Sequence, residues 1–198
     1  CAFSSAPALR AQTRTAGDTR SLRLPAVGDC TLQILSPSLL EFTQISTKEK
    51  DTAWIQLKNM FGGRTDASPR TTPAFDVTVE GRPVKVAAVG MKRRVLYAPL
   101  ARRDPRVATQ FYFRLAAPID PQATAPIVEV RVPSGVAGKP PISAAAAFDP
   151  RRTNPALHVN QEGYVPSLPK KAMIGYFLGD MGEMEIPGAA GFNLIDAR

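Results

Sequence analysis

Histidine is almost missing from these 198 residues, with His158 standing alone, and cysteine occurs only at Cys1 and Cys30. Structural zinc sites draw four ligands from these two residue types, so such a site is not expected, and no cofactor is called for. Two distant cysteines do not make a disulfide framework either. A lone histidine on the outward side of a strand, without a Cys, a second His or an obvious Ser nearby, reads as a satisfied surface residue rather than as a ligand or general base. No run of about 18 apolar residues is present, so no membrane-spanning helix is expected. Helical periodicity is scarce as well. The one helix candidate, Ser38 to Gln44, is short and ambiguous, and no repeat is visible at the spacings of solenoids or propellers.

What the chain does have is a 44% hydrophobic content, enough for a real core, and 19 prolines scattered mostly singly between apolar stretches. Proline so placed suits turns and edge strands better than helices. The formal charge is +8, of which residues 1–27 hold +3, residues 28–150 hold +5 and residues 151–198 none. Lys92, Arg93, Arg94, Arg102, Arg103 and Arg106 concentrate the excess. Such a patch can attract nucleic acid, but solvated strand ends explain it as well, and no nucleic-acid partner is expected.

Apolar residues recur with a period of two. Thr31–Leu35 alternates, as does Ala53–Leu57. Phe75, Val77 and Val79 should face inward, with Asp76, Thr78 and Glu80 facing water. Gly81-Arg82-Pro83 then turns the chain, and Val84, Val86 and Ala88 resume the alternation, so residues 75–88 read as a hairpin. Further strands are expected at Arg94–Ala98, Gln110–Leu115 and Ile127–Val132. In the run Phe111-Tyr112-Phe113 alternation should bury two of the three rings. About seven short strands with frequent turn signals define an all-β class and a β-sandwich.

Composition divides the chain. Residues 1–27 read as a flexible leader. Its opening, Cys1 to Ala8, has the small apolar character and A-x-A pattern of a signal-peptide tail. A rival reading is a mature lipoprotein with Cys1 as the lipid attachment point. The expected location is therefore secreted or periplasmic, with a lipid-anchored alternative. Residues 28–150 form the first sandwich, with residues 133–155, rich in Pro, Gly and Ala, as a linker at its end. Residues 151–198 begin a second unit. There Leu157 and Val159 should point into a core, with His158 and Asn160 away from it. Gly163 permits a turn, and Val165–Pro169 should be held extended by its prolines. Strands at Ala172–Phe177 and Gly191–Asp196 follow. Three strands fall short of the seven or so of a sandwich, so this unit is expected to be truncated.

The second unit carries the most specific pattern in the chain: Val159-Asn160-Gln161, then Gly163-Tyr164, Pro166, and Pro169-Lys170. From Leu157 to Ala172 the sequence resembles the start of the immunoglobulin-like domain that precedes the catalytic module in glycoside hydrolase family 9, with Glu162 where an apolar residue is more usual. The stretch Lys92–Leu100 is similar to the additional N-terminal sandwich of some bacterial members. The resemblance implies a parent enzyme that hydrolyses β-1,4-glucan by inversion. Its catalytic module would be an α/α barrel farther along the chain, with a base in an Asp-Ala-Gly-Asp motif and a distant Glu as acid. Neither motif occurs here, so no catalytic residue is assigned. The implied partner is that downstream module, and the implied role is its support.

Two other features invite a sharper interpretation. Trp54 beside Phe61 could contact a β-glucan, but core or edge packing is the favoured account of a single Trp. Asp180, Glu183 and Glu185 lie in a Gly- and Met-rich loop. Their spacing is incomplete for calcium, and a solvated loop, or one docked on the downstream catalytic module, is expected.

Overall fold

The computed structural model describes residues 26–47, 75–97, 106–132, 142–149, 151–160, 163–186 and 188. Expectations that rest on Cys1, Trp54, Phe61, Gln161, Glu162, the Ala53–Leu57 alternation and the Gly191–Asp196 strand lie outside these residues. The described chain is all-β, with antiparallel pairing throughout and no α-helix. Strands β1 (Cys30–Ser36), β2 (Leu39–Thr47), β5 (Val86–Tyr97) and β6 (Arg106–Leu115) form one four-stranded sheet in the order β1-β2-β6-β5. A second has the order β4-β3-β7-β8, from β3 (Asp76–Val79), β4 (Arg82–Pro83), β7 (Ile127–Val132) and β8 (Ile142–Ala147). The two sheets face each other as a β-sandwich.

The core between them follows from the period-two pattern. Leu32, Ile34, Leu40, Phe42, Phe111 and Phe113 project from the first sheet, and Val77, Val128, Val130 and Ala144 from the second. Phe75 sits among the rings of Phe42, Phe111 and Phe113, with centroids at 6.4, 5.1 and 4.8 Å. These are the tilted and edge-on arrangements that the ring quadrupole favours.

Several local expectations are corrected. Ser38–Gln44 is not helical. Most of it lies in β2, a central strand paired on both sides, where Leu40 and Phe42 face inward and Leu39 and Glu41 outward. Cross-strand pairing decides what a short apolar run leaves ambiguous. The hairpin turn falls at Glu80-Gly81, one residue earlier than Gly81-Arg82-Pro83. Both turn residues have positive φ, 49° and 71°, the conformation of a type I′ turn, whose twist matches that of the flanking strands. Pro83 lies in the edge strand β4, where a missing N–H is tolerated. Only two residues return along β3. The chain then changes sheet within one dipeptide: Val84 N–H donates to Val77 at 2.9 Å, and the Lys85 carbonyl accepts from Ala116 at 2.9 Å. The segments expected at 84–88 and 94–98 consequently merge into β5. Within the stretch read as a linker, residues 142–147 are β8, paired with β7 from Val132↔Ile142 to Ile127↔Ala147. Its alanines are small enough to lie close against the core.

Beyond β8 the chain crosses the end of β1. Arg152 Nε–H donates to the Ile34 carbonyl at 2.7 Å and Asn154 Nδ2–H to the Leu35 carbonyl at 2.6 Å. The Arg152 guanidinium lies 4.7 Å from the Phe148 ring centroid, a cation–π contact. A short hairpin follows, β9 (Leu157–His158) with β10 (Met173–Ile174), and then a 3₁₀ turn at Gly179–Met181. No helix among the described residues is long and apolar enough to cross a membrane.

Candidate functional site

The motif between β9 and β10 folds into a compact loop held by two polar side chains. Gly163 takes φ +96°, a conformation that L side chains rarely adopt, which explains glycine at this turn. The Tyr164 hydroxyl accepts from the Asn160 N–H at 3.1 Å and donates to the Lys171 carbonyl. Its hydroxyl thus serves the backbone of the loop, while the side chain as a whole is exposed. The Val165–Pro169 stretch is not extended. Leu168 N–H donates to the Val165 carbonyl at 3.1 Å, closing a turn around Pro166 and Ser167. Lys170 explains the bend: its ammonium donates to the carbonyls of Val165, Pro166 and Leu168 at 3.2, 2.5 and 3.0 Å. Three carbonyls converging on a cation hold the turn closed.

The hairpin that carries this loop leaves its apolar side chains in solvent. Leu157 is 53% exposed, Val159 59%, Leu168 58% and Met173 70%, and Val165, Ile174 and Phe177 are exposed with them. The expectation that Leu157 and Val159 enter a core is therefore overturned for the described residues, because a two-stranded hairpin has no opposing layer on that side. His158 is exposed as expected, and its Nε2–H donates to the Gly175 carbonyl at 2.9 Å across the hairpin.

The segment after β10 is packed quite differently. Leu178 is fully buried against Leu35, Leu39 and Tyr112 on the outer face of the β1-β2-β6-β5 sheet, with Tyr176, Met181 and Met184 around it. Phe111, Tyr112 and Phe113 are in consequence all buried, where alternation alone predicted two. Phe111 and Phe113 fill the sandwich core, and Tyr112 is covered from outside. The Tyr176 hydroxyl donates to Glu41 Oε2 at 2.7 Å, and the Thr43 hydroxyl donates to Oε1 at 3.2 Å. Glu41 is only 4% exposed and its neighbour Gln110 only 2%. The Tyr112 hydroxyl lies buried beside Glu41 and Tyr176 without a hydrogen bond of standard geometry to either. Burial, and then the Glu41 charge, push the Tyr176 phenol up to about 12, and the same causes push Tyr112 further in the same direction. Cys30, half-buried, is pushed up to about 11 by burial and by Asp29, which suits an inert thiol rather than a nucleophile.

Two glycines allow the close approach. A Cβ on Gly90 would lie 2.3 Å from Met181 Cγ, and one on Gly179 would lie 2.1 Å from the Met91 carbonyl oxygen. Of the acidic loop, Asp180 takes part: its carboxylate accepts the Met91 N–H at 2.6 Å. That loop is thus docked on the first sandwich, in place of the expected solvated loop or docking on a downstream module, whereas Glu183 and Glu185 are exposed. Lys92 lies over the rings of Tyr176 and Phe177, at 5.6 and 5.5 Å from their centroids. Among the described residues no three His, Cys, Asp or Glu side chains group where they could hold a metal ion.

The roles of Glu41, Gly90, Gln110 and Gly179 in this contact were not foreseen from the sequence. A glycine inside a strand is a recognised mark of close backbone approach, and Gly90 carried that signal. An aromatic run without a polar gap is likewise what a strand covered on both faces looks like. The fold and these contacts define an all-β protein whose sandwich bears a docked hairpin. No family model, curated protein or solved structure matches the chain.

Proposed function

We propose that the chain is the non-catalytic N-terminal region of a secreted glycoside hydrolase of family 9, supporting a catalytic module that cleaves β-1,4-glucan. The observation that carries this reading is the β9–β10 hairpin. It is held in one conformation by Tyr164 and Lys170, both residues of the family pattern, yet it exposes apolar side chains that further strands of a sandwich would cover. An isolated two-stranded hairpin is marginal in water. A preformed one with an uncovered apolar face is suited to nucleate a larger layer. The first sandwich then serves as the base under that layer.

The test is the coding sequence beyond Arg198 and the enzyme it specifies. The expected continuation completes an immunoglobulin-like sandwich and enters a helical module with an Asp-Ala-Gly-Asp motif. That enzyme releases reducing sugar from soluble β-glucan, and the 198-residue chain by itself releases none. Deleting residues 30–147 from the enzyme should lower its thermal stability while leaving its substrate preference unchanged. A downstream sequence without a helical module would overturn the proposal, as would hydrolysis by the present chain alone.

A further inference from the structure

We infer that the segment from Tyr176 to Met184 is a latch, which locks the hairpin to the first sandwich and can open while the sandwich beneath stays folded. The inference rests on geometry and is independent of the enzymatic reading. Among the described residues two apolar clusters are present and they share no residue: the Phe75-centred core between the sheets, and the smaller group of Leu35, Leu39, Tyr112 and Leu178 on the outer face. Losing the second does not open the first.

The latch has a specific fit and an imperfect polar seal. The fit comes from Gly90 against Met181 and Gly179 against Met91, where side chains would collide, and from the Asp180 carboxylate on the Met91 N–H. The seal buries Glu41, Gln110 and the Tyr112 hydroxyl, with the Gln110 carbonyl oxygen and the Tyr112 hydroxyl lacking partners of good geometry. Polar groups buried in this way raise the free energy of the closed state, and they recover water when it opens. Arg152 and Asn154 hold the preceding residues on β1. The pivot therefore falls just after Asn154, whose side-chain oxygen accepts the Ala156 N–H at 3.0 Å.

Residue-resolved amide exchange on the whole chain tests this. The Met91 amide, bonded to Asp180, and those of Leu178 and Met184, bonded within the segment, report the latch. Phe111 and Val130 amides report the sandwich. Tyr176→Phe and Asp180→Ala should each speed exchange at the latch amides on the order of tenfold, the effect of losing one hydrogen bond worth about a decade in equilibrium, with Phe111 and Val130 unchanged. Gly90→Ala should open the latch further, and Met181→Ala added to it should restore protection. Equal acceleration at latch and sandwich amides would overturn the inference, because the segment would then be part of one cooperative core. No acceleration in Tyr176→Phe and Asp180→Ala would overturn it as well. Those two variants introduce no steric clash and stand if Gly90→Ala fails to fold.

Discussion

Phe75 is the residue on which the sandwich closes. It touches three other rings and is nearly excluded from water. Phe75→Ala should cost about 3–5 kcal/mol, the range for deleting a buried aromatic ring, read as a lowered urea midpoint with an unchanged slope. Tyr176 titrates where few groups do. Folding keeps its phenol protonated beyond the ordinary range, up to about 12. The stability it contributes is complete below about pH 10 and is lost as pH rises through about 12. Phenolate absorbance during an alkaline titration should show late-ionising tyrosines, Tyr176 before Tyr112. Tyr176→Phe should remove the earlier of these components and make stability less sensitive to pH in this window.

At the scale of elements, Lys170 governs one turn. Lys170→Ala leaves three carbonyls without their shared donor, so limited proteolysis should cut the Val165–Pro169 stretch faster in this variant than in the parent chain. Phe75 and Val77, the shared face of Phe111 and Phe113, and Val128 and Val130 were legible in the sequence, because a strand with one buried face writes its orientation in alternation. β2, β8 and the merger into β5 were not. β2 is covered on both faces, so its sequence loses the alternation. β8 is built of alanines, which carry little β signal and pack here only because β7 lies alongside. The continuity of β5 depends on its partner β6, a pairing invisible to any local window. The motif loop was legible as a turn at Gly163 but not as a turn at Pro166, since the side chain that bends it comes from Lys170, farther along. The polar cluster around Glu41 was hidden for a similar reason: its members come from β2, β6 and the segment after β10.

For the molecule as a whole, the segment after residue 150 behaves as an outer layer of the first sandwich at its Tyr176–Met184 end and as an uncovered hairpin at its motif end. These ends should differ in solution. The exposed Leu157, Val159, Leu168 and Met173 should bind an environment-sensitive dye and promote self-association as concentration rises, as contiguous apolar patches do. Replacing Leu168 and Met173 together with Ser should reduce both effects in light scattering and dye fluorescence while leaving the thermal midpoint of the sandwich unchanged.

The strand order has a consequence for how fast such a chain can reach its fold. Leu39 pairs with Arg114, and Asp76 with Arg131, so the central ladder of each sheet joins strands far apart in sequence. Long loops must close before either ladder contributes a bond, and topologies dominated by such pairings fold in milliseconds to seconds rather than microseconds. The tight hairpins at residues 37–38, between β1 and β2, and at Glu80-Gly81 are local nuclei among the described residues. Refolding from urea should therefore be slow, and it should slow further when Gly81 is replaced by Val, a residue whose side chain resists the turn.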